Sequence, residues 1–88
     1  MAIKRSDYHL RDVSNSFDEK WAVRLRNAER EIGVVAKVSD RWVVLDVRFV
    51  APGISARKAE KFRSTGVFHK RGAAVAALIL FAAGRTSV

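Results

Sequence analysis

Three consecutive stretches of this sequence alternate with a period of two, the pattern of strands that turn successive side chains to opposite faces of a sheet. In Trp21 to Arg26, one face holds Trp21, Val23 and Leu25 and the other Ala22, Arg24 and Arg26. Ile32 to Ser39 sets Ile32, Val34, Ala36 and Val38 against Gly33, Val35, Lys37 and Ser39. Arg41 to Val50 puts Val43, Leu45, Val47 and Phe49 on the core side, with Trp42, Val44, Asp46 and Arg48 opposite. This third stretch is rich in β-branched residues, which suits a central strand. Ser39-Asp40 between the last two fits a tight turn. Tyr8 to Val13 supplies a fourth, edge strand, followed by the polar connection Ser14 to Lys20.

Ala51-Pro52-Gly53 ends the alternation, because proline cannot donate to a strand ladder and glycine favours turns. Ser55 is placed to cap a short helix running through Arg63, with Ile54, Ala59 and Phe62 inward and Arg57, Lys58 and Lys61 outward. Gly66 to His69 reads as a turn or a short strand. Gly72 to Ala83 is the second helix, closed by Gly84 with Arg85 beside the negative end of its dipole. It is apolar on every side, yet a helix of about a dozen residues rises only about 18 Å, too short for a bilayer. It is therefore expected to be a core or interface helix. The expected fold is α+β: an antiparallel sheet of three or four strands followed by two helices packed on one face, all in a single domain of 88 residues.

The absence of cysteine removes disulfides, thiolate chemistry and zinc fingers. No long apolar run follows the basic residues of the N-terminus, so a secretory signal is not expected and a cytoplasmic protein is. Only His9 and His69 could serve as bases near neutral pH, and no catalytic or phosphate-loop motif surrounds them. A cluster of His9 with Asp7 and Asp12 is too sparse to argue for a metal. The expectation is a protein that is not an enzyme and carries no cofactor.

Charge is the feature that points to a partner. Through Asp46, nine basic residues face eight acids; from Val47 onward, eight basic residues face Glu60 alone, so the second half carries +7 of the total +8. A concentrated positive field attracts polyanions and is the footprint of a nucleic-acid binder, DNA or RNA. Three sets of residues could make the contact. Arg24, Arg26, Lys37 and Arg48 project from the sheet face that also carries Trp42, a mixture able to bind phosphates and stack a base; the competing reading is that Trp42 belongs to the core. Lys70 and Arg71 precede the last helix, where a cation is unfavourable by about 0.3–1 kcal/mol unless an anion lies nearby; a solvated basic turn is the alternative. Arg57, Lys58 and Lys61 form a basic helix face that could follow a nucleic-acid backbone, or simply face water.

His69-Lys70-Arg71-Gly72-Ala73-Ala74-Val75-Ala76-Ala77-Leu78 resembles the start of the last helix in double-stranded-RNA-binding domains, where a basic pair precedes an Ala-rich helix after three strands. The chain departs from that family in having no N-terminal helix before the sheet and a long Ala51 to Thr65 insertion after it. Trp21, Gly33 and Gly66-Val67-Phe68 before an Ala-rich helix are also similar to AP2-like and integrase arm-binding modules. Both resemblances imply that nucleic acid would meet the basic sheet face or Lys70 and Arg71. The leading functional expectation is thus a nucleic-acid-binding module that grips backbone phosphates. The alternative is a small regulatory or phage-type protein that binds a protein partner, or forms a homodimer, through its apolar C-terminal helix.

Overall fold

In the computed structural model, alternation becomes a five-stranded antiparallel meander in which each strand pairs with the next in sequence. The structure describes residues 5–16, 18–51 and 67–86. A 3-10 turn at Arg5–Asp7 leads into β1 (Tyr8–Asp12), followed by β2 (Glu19–Leu25), β3 (Glu31–Val38) and β4 (Arg41–Leu45). A second 3-10 turn, Val47–Val50, comes next; β5 (Val67–Phe68) then pairs with β4, and α1 (Arg71–Thr86) closes the fold. The edge strand expected near Tyr8 is β1, and the short segment before the last helix is a fifth strand. The helix expected over Ser55 to Arg63 lies outside the described residues, among which there is one α-helix rather than two.

Ser39-Asp40 forms the β3–β4 turn, with Ser39 at φ 59°, the left-handed conformation that only tight turns ask of a non-glycine residue. This turn fixes the pairing of Lys37 with Trp42 and of Val35 with Val44. A register shift at Val23/Arg24 interrupts the β2–β3 ladder. The extra residue there is Ile32 on β3, while β2 keeps its alternation through Arg24.

The sheet buries both faces, where alternation had indicated one core side. Ala22, Val34, Ala36, Val38, Val43 and Leu45 pack with Val13 and Phe49, so the Val47–Val50 turn helps to cover that face. Val23, Val35, Trp42 and Val44 pack beneath Ala74, Val75 and Leu78 of α1. Trp42 is 8% exposed, so it is core and not a platform for a base. Central strand β3 is buried on both sides from Gly33 to Ala36, which explains its nearly unbroken apolar run. Gly33 permits the close approach of α1: a Cβ there would lie 2.8 Å from both the Leu45 carbonyl oxygen and Leu78 Cδ1.

The third stretch does not continue as a strand to Val50. The Asp46 side chain accepts a hydrogen bond from the Arg48 backbone N–H at 2.8 Å and caps the 3-10 turn, which carries Arg48 off the sheet. Val47 is half-exposed, while Phe49 still reaches the core. Lys20 secures this turn: fully buried, it donates from Nζ to the Phe49 carbonyl at 3.0 Å and the Ala51 carbonyl at 3.2 Å. The last helix begins at Arg71 and runs through Gly84 to Thr86, past the expected stop.

Candidate nucleic-acid interface

The strand register gathers one set of cations at the β3–β4 turn end of the sheet. Lys37 sits directly opposite Glu19 on β2 and Trp42 on β4, and Trp42 in turn pairs with Phe68. Arg41 opens β4 beside the turn. Because β5 runs antiparallel to β4, its continuation His69-Lys70 emerges at the same end and delivers the first residue of α1, Arg71. Lys37, Arg41 and Lys70 are exposed, and Arg71 is half-buried. Exposed Asp12, Glu19 and Asp40 also lie at this end of the sheet, and buried Asp18 is set against buried Lys20, so the four cations leave only a small positive excess.

Arg71 is held more closely than the others. Its guanidinium carbon lies 5.0 Å from the centroid of the Trp21 ring, within the range of a cation–π contact. Trp21 Nε1–H donates to Glu19 Oε2 at 2.9 Å. The indole is half-buried, with its packed side against the helix-facing core.

The other expected contacts lie elsewhere. Arg24 pairs across the sheet with His9 and donates from Nη1 to the Ala28 carbonyl at 2.7 Å. With Arg11, Arg30, Glu29, Glu31, Val47 and Val50 they line an open cleft of about 640 Å³, on the side covered by the 3-10 turn rather than by α1. Arg11 grips Glu31 through two bonds, Nε to Oε2 at 3.0 Å and Nη2 to Oε1 at 2.7 Å. Hydrogen bonding to Glu31, then its negative charge, raises the Arg11 pKa. That pairing, with Glu29, cancels much of the cleft's charge. Arg26 is exposed in the β2–β3 turn, and Arg48 pairs with Asp46 at 2.9 Å. The single face of Arg24, Arg26, Lys37, Trp42 and Arg48 is therefore not assembled: the β2–β3 register sets Lys37 opposite Glu19 and so puts Arg24 on the other face, Trp42 is buried, and the 3-10 turn carries Arg48 away. Arg57, Lys58 and Lys61 lie outside the described residues.

Lys37, Lys70 and Arg71 are thus brought together from the expected set, with Arg41 and Trp21 added. Arg41 could have been found from its place next to the Ser39-Asp40 turn. Nothing local in the sequence joins Trp21 to Arg71, fifty residues apart. Among the described residues no group of His, Cys, Asp and Glu could hold a metal ion, Asp7, His9 and Asp12 included, and no helix is long and apolar enough to cross a membrane. Comparison with protein-family models, curated proteins and solved structures gave no match.

Proposed function

We propose that this protein is a non-enzymatic nucleic-acid-binding module that grips backbone phosphates with the turn end of its sheet. The observation that carries the reading is the convergence of Lys37, Arg41, Lys70 and Arg71 from three separate segments onto one edge. Among the described residues neither Lys37 nor Lys70 has an ion-pair partner, so their charges remain available to a polyanion. The net +7 of the second half adds long-range attraction of the same sign.

Retention on duplex DNA, single-stranded DNA and duplex RNA across a salt series tests this. If the four cations neutralise three or four phosphates, log K falls against log salt with a slope of about −3 to −4 on duplex, a loss of roughly a hundredfold between 50 and 200 mM. No retention of any polynucleotide at low salt would end the proposal.

A second reading has its own support. Leu80 and Phe81 on α1 are 54% and 46% exposed, an apolar patch on a helix whose other side is already packed. A protein partner or a second copy of the chain would cover it. Such binding would be nearly insensitive to salt.

A further inference from the structure

We infer that Arg71 is the principal phosphate ligand of this edge and that Trp21 and Glu19 are positioning residues that hold its guanidinium ready. The inference rests on the nucleic-acid reading and deepens it, since it divides the labour among cations that charge alone treats as equal. Two contacts run in series: Glu19 Oε2 accepts the Trp21 Nε1–H at 2.9 Å, and the centroid of the Trp21 ring lies 5.0 Å from the Arg71 guanidinium carbon. The first orients the indole; the second orients the cation.

A free arginine or lysine side chain surrenders several rotatable bonds when it grips a phosphate. Arg71 has given up much of that freedom already, by leaning on a ring whose own position is set by the sheet and by Glu19. A guanidinium held over an aromatic ring spends no N–H donor on that contact, so its donors stay free to meet two phosphate oxygens side by side. Lys70, exposed and without a partner among the described residues, has no such support. Lys37, exposed on β3 across from Glu19, has none either. Preorganisation therefore singles out Arg71.

Glu19 acts in two opposing ways, and this supplies a clean test. Its oxygen fixes Trp21, but its charge repels a phosphate. Glu19→Gln keeps an acceptor and removes the charge; Glu19→Leu removes both. The two variants carry the same net charge, so any difference between them reports the hydrogen bond.

The experiment measures affinity for labelled duplex DNA, single-stranded DNA and duplex RNA at low salt, alongside the Nε–H resonance of Arg71 by NMR. Arg71→Gln is expected to weaken binding about tenfold, the scale of one charge-assisted contact. Trp21→Leu should weaken it nearly as much in the native background, little in the Arg71→Gln background, and should move the Arg71 resonance away from its ring-shifted position. Glu19→Gln should bind several-fold more tightly than Glu19→Leu. Trp21→Phe, which keeps a ring and protects the fold, should retain both the resonance shift and most of the affinity. Losses that simply multiply in the Trp21→Leu, Arg71→Gln double variant would mean that Trp21 touches the nucleic acid itself, and would overturn the positioning role. Unchanged affinity in Arg71→Gln, with weakening in Lys37→Gln or Lys70→Gln, would overturn the inference while leaving the proposed function standing. Failure of the native protein to bind any of the three probes would end both.

Discussion

Replacing Lys20 by methionine tests the attachment of the 3-10 turn to the sheet. Lys20 is fully buried in β2, and its ammonium donates to the carbonyls of Phe49 and Ala51, the last residues before the chain leaves the turn. Methionine keeps most of the apolar stem in place and removes both donors. Phe49 is buried, so its carbonyl loses a partner in a site poorly reached by water, a cost of about 1–3 kcal/mol. Ala51 is exposed, and water can replace the second bond at little cost. Asp18, 4% exposed, loses the favourable field of the Lys20 charge, but relief from keeping an ammonium in the interior is the larger of these two opposing effects. The expected net loss is therefore at the lower end of that range, about 1 kcal/mol, which for a domain of 88 residues lowers Tm by about 4–8 °C. Urea unfolding followed by far-ultraviolet circular dichroism measures it directly, with the slope against urea unchanged if both proteins unfold to the same extent. A stability within about 0.5 kcal/mol of the native protein would show that the two carbonyls do not depend on Lys20. Desolvation lowers the Lys20 pKa from 10.5, against the opposing pull of Asp18. The folded state therefore releases this proton at lower pH than the unfolded state, and the contribution of Lys20 to stability rises with pH between its folded value and 10.5. Lys20→Met should lack that rise; equal alkaline slopes in the two proteins would contradict the assignment.

Gly33→Ala would place a Cβ 2.8 Å from the Leu45 carbonyl oxygen and from Leu78 Cδ1, so the β4 backbone must give way as well as the Leu78 side chain; the expected loss is about 1–3 kcal/mol by urea unfolding, and a neutral effect would mean that the packing around Gly33 is looser than these contacts require. Ser39→Gly should instead raise stability by about 0.5–1 kcal/mol, because glycine adopts the φ of 59° without strain, and a fall in Tm would contradict the turn geometry. Leu80→Glu should leave the circular dichroism spectrum and Tm nearly unchanged, since Leu80 is 54% exposed. If the native chain is a dimer by light scattering, the same change should give a folded monomer; unfolding would place Leu80 in the core instead.

The sequence by itself determined the local elements, because each is written in short-range spacing. Period-two alternation located β2, β3 and β4, the Ser39-Asp40 pair located their hairpin, and Ala-rich composition located α1. The charge split was likewise readable without any structure. What the sequence did not contain was the assignment of faces. Trp42 and Lys37 do share a face, as alternation implied, but a helix thirty residues further on covers Trp42 and leaves Lys37 in water. Arg24 lies on the other face because β2 pairs with β3 in the register that sets Glu19, not Lys20, opposite Lys37, and Arg48 left the sheet when Asp46 capped a turn in place of a strand. Alternation specifies only that neighbours point oppositely; which side is buried depends on what packs there, and both sides are packed here. The meeting of Arg71 with Trp21, and of Lys20 with the carbonyls of Phe49 and Ala51, belongs wholly to the tertiary structure. Those contacts join residues about thirty and fifty positions apart, and only the order of strands in the sheet and the helix laid across them brings such residues within reach.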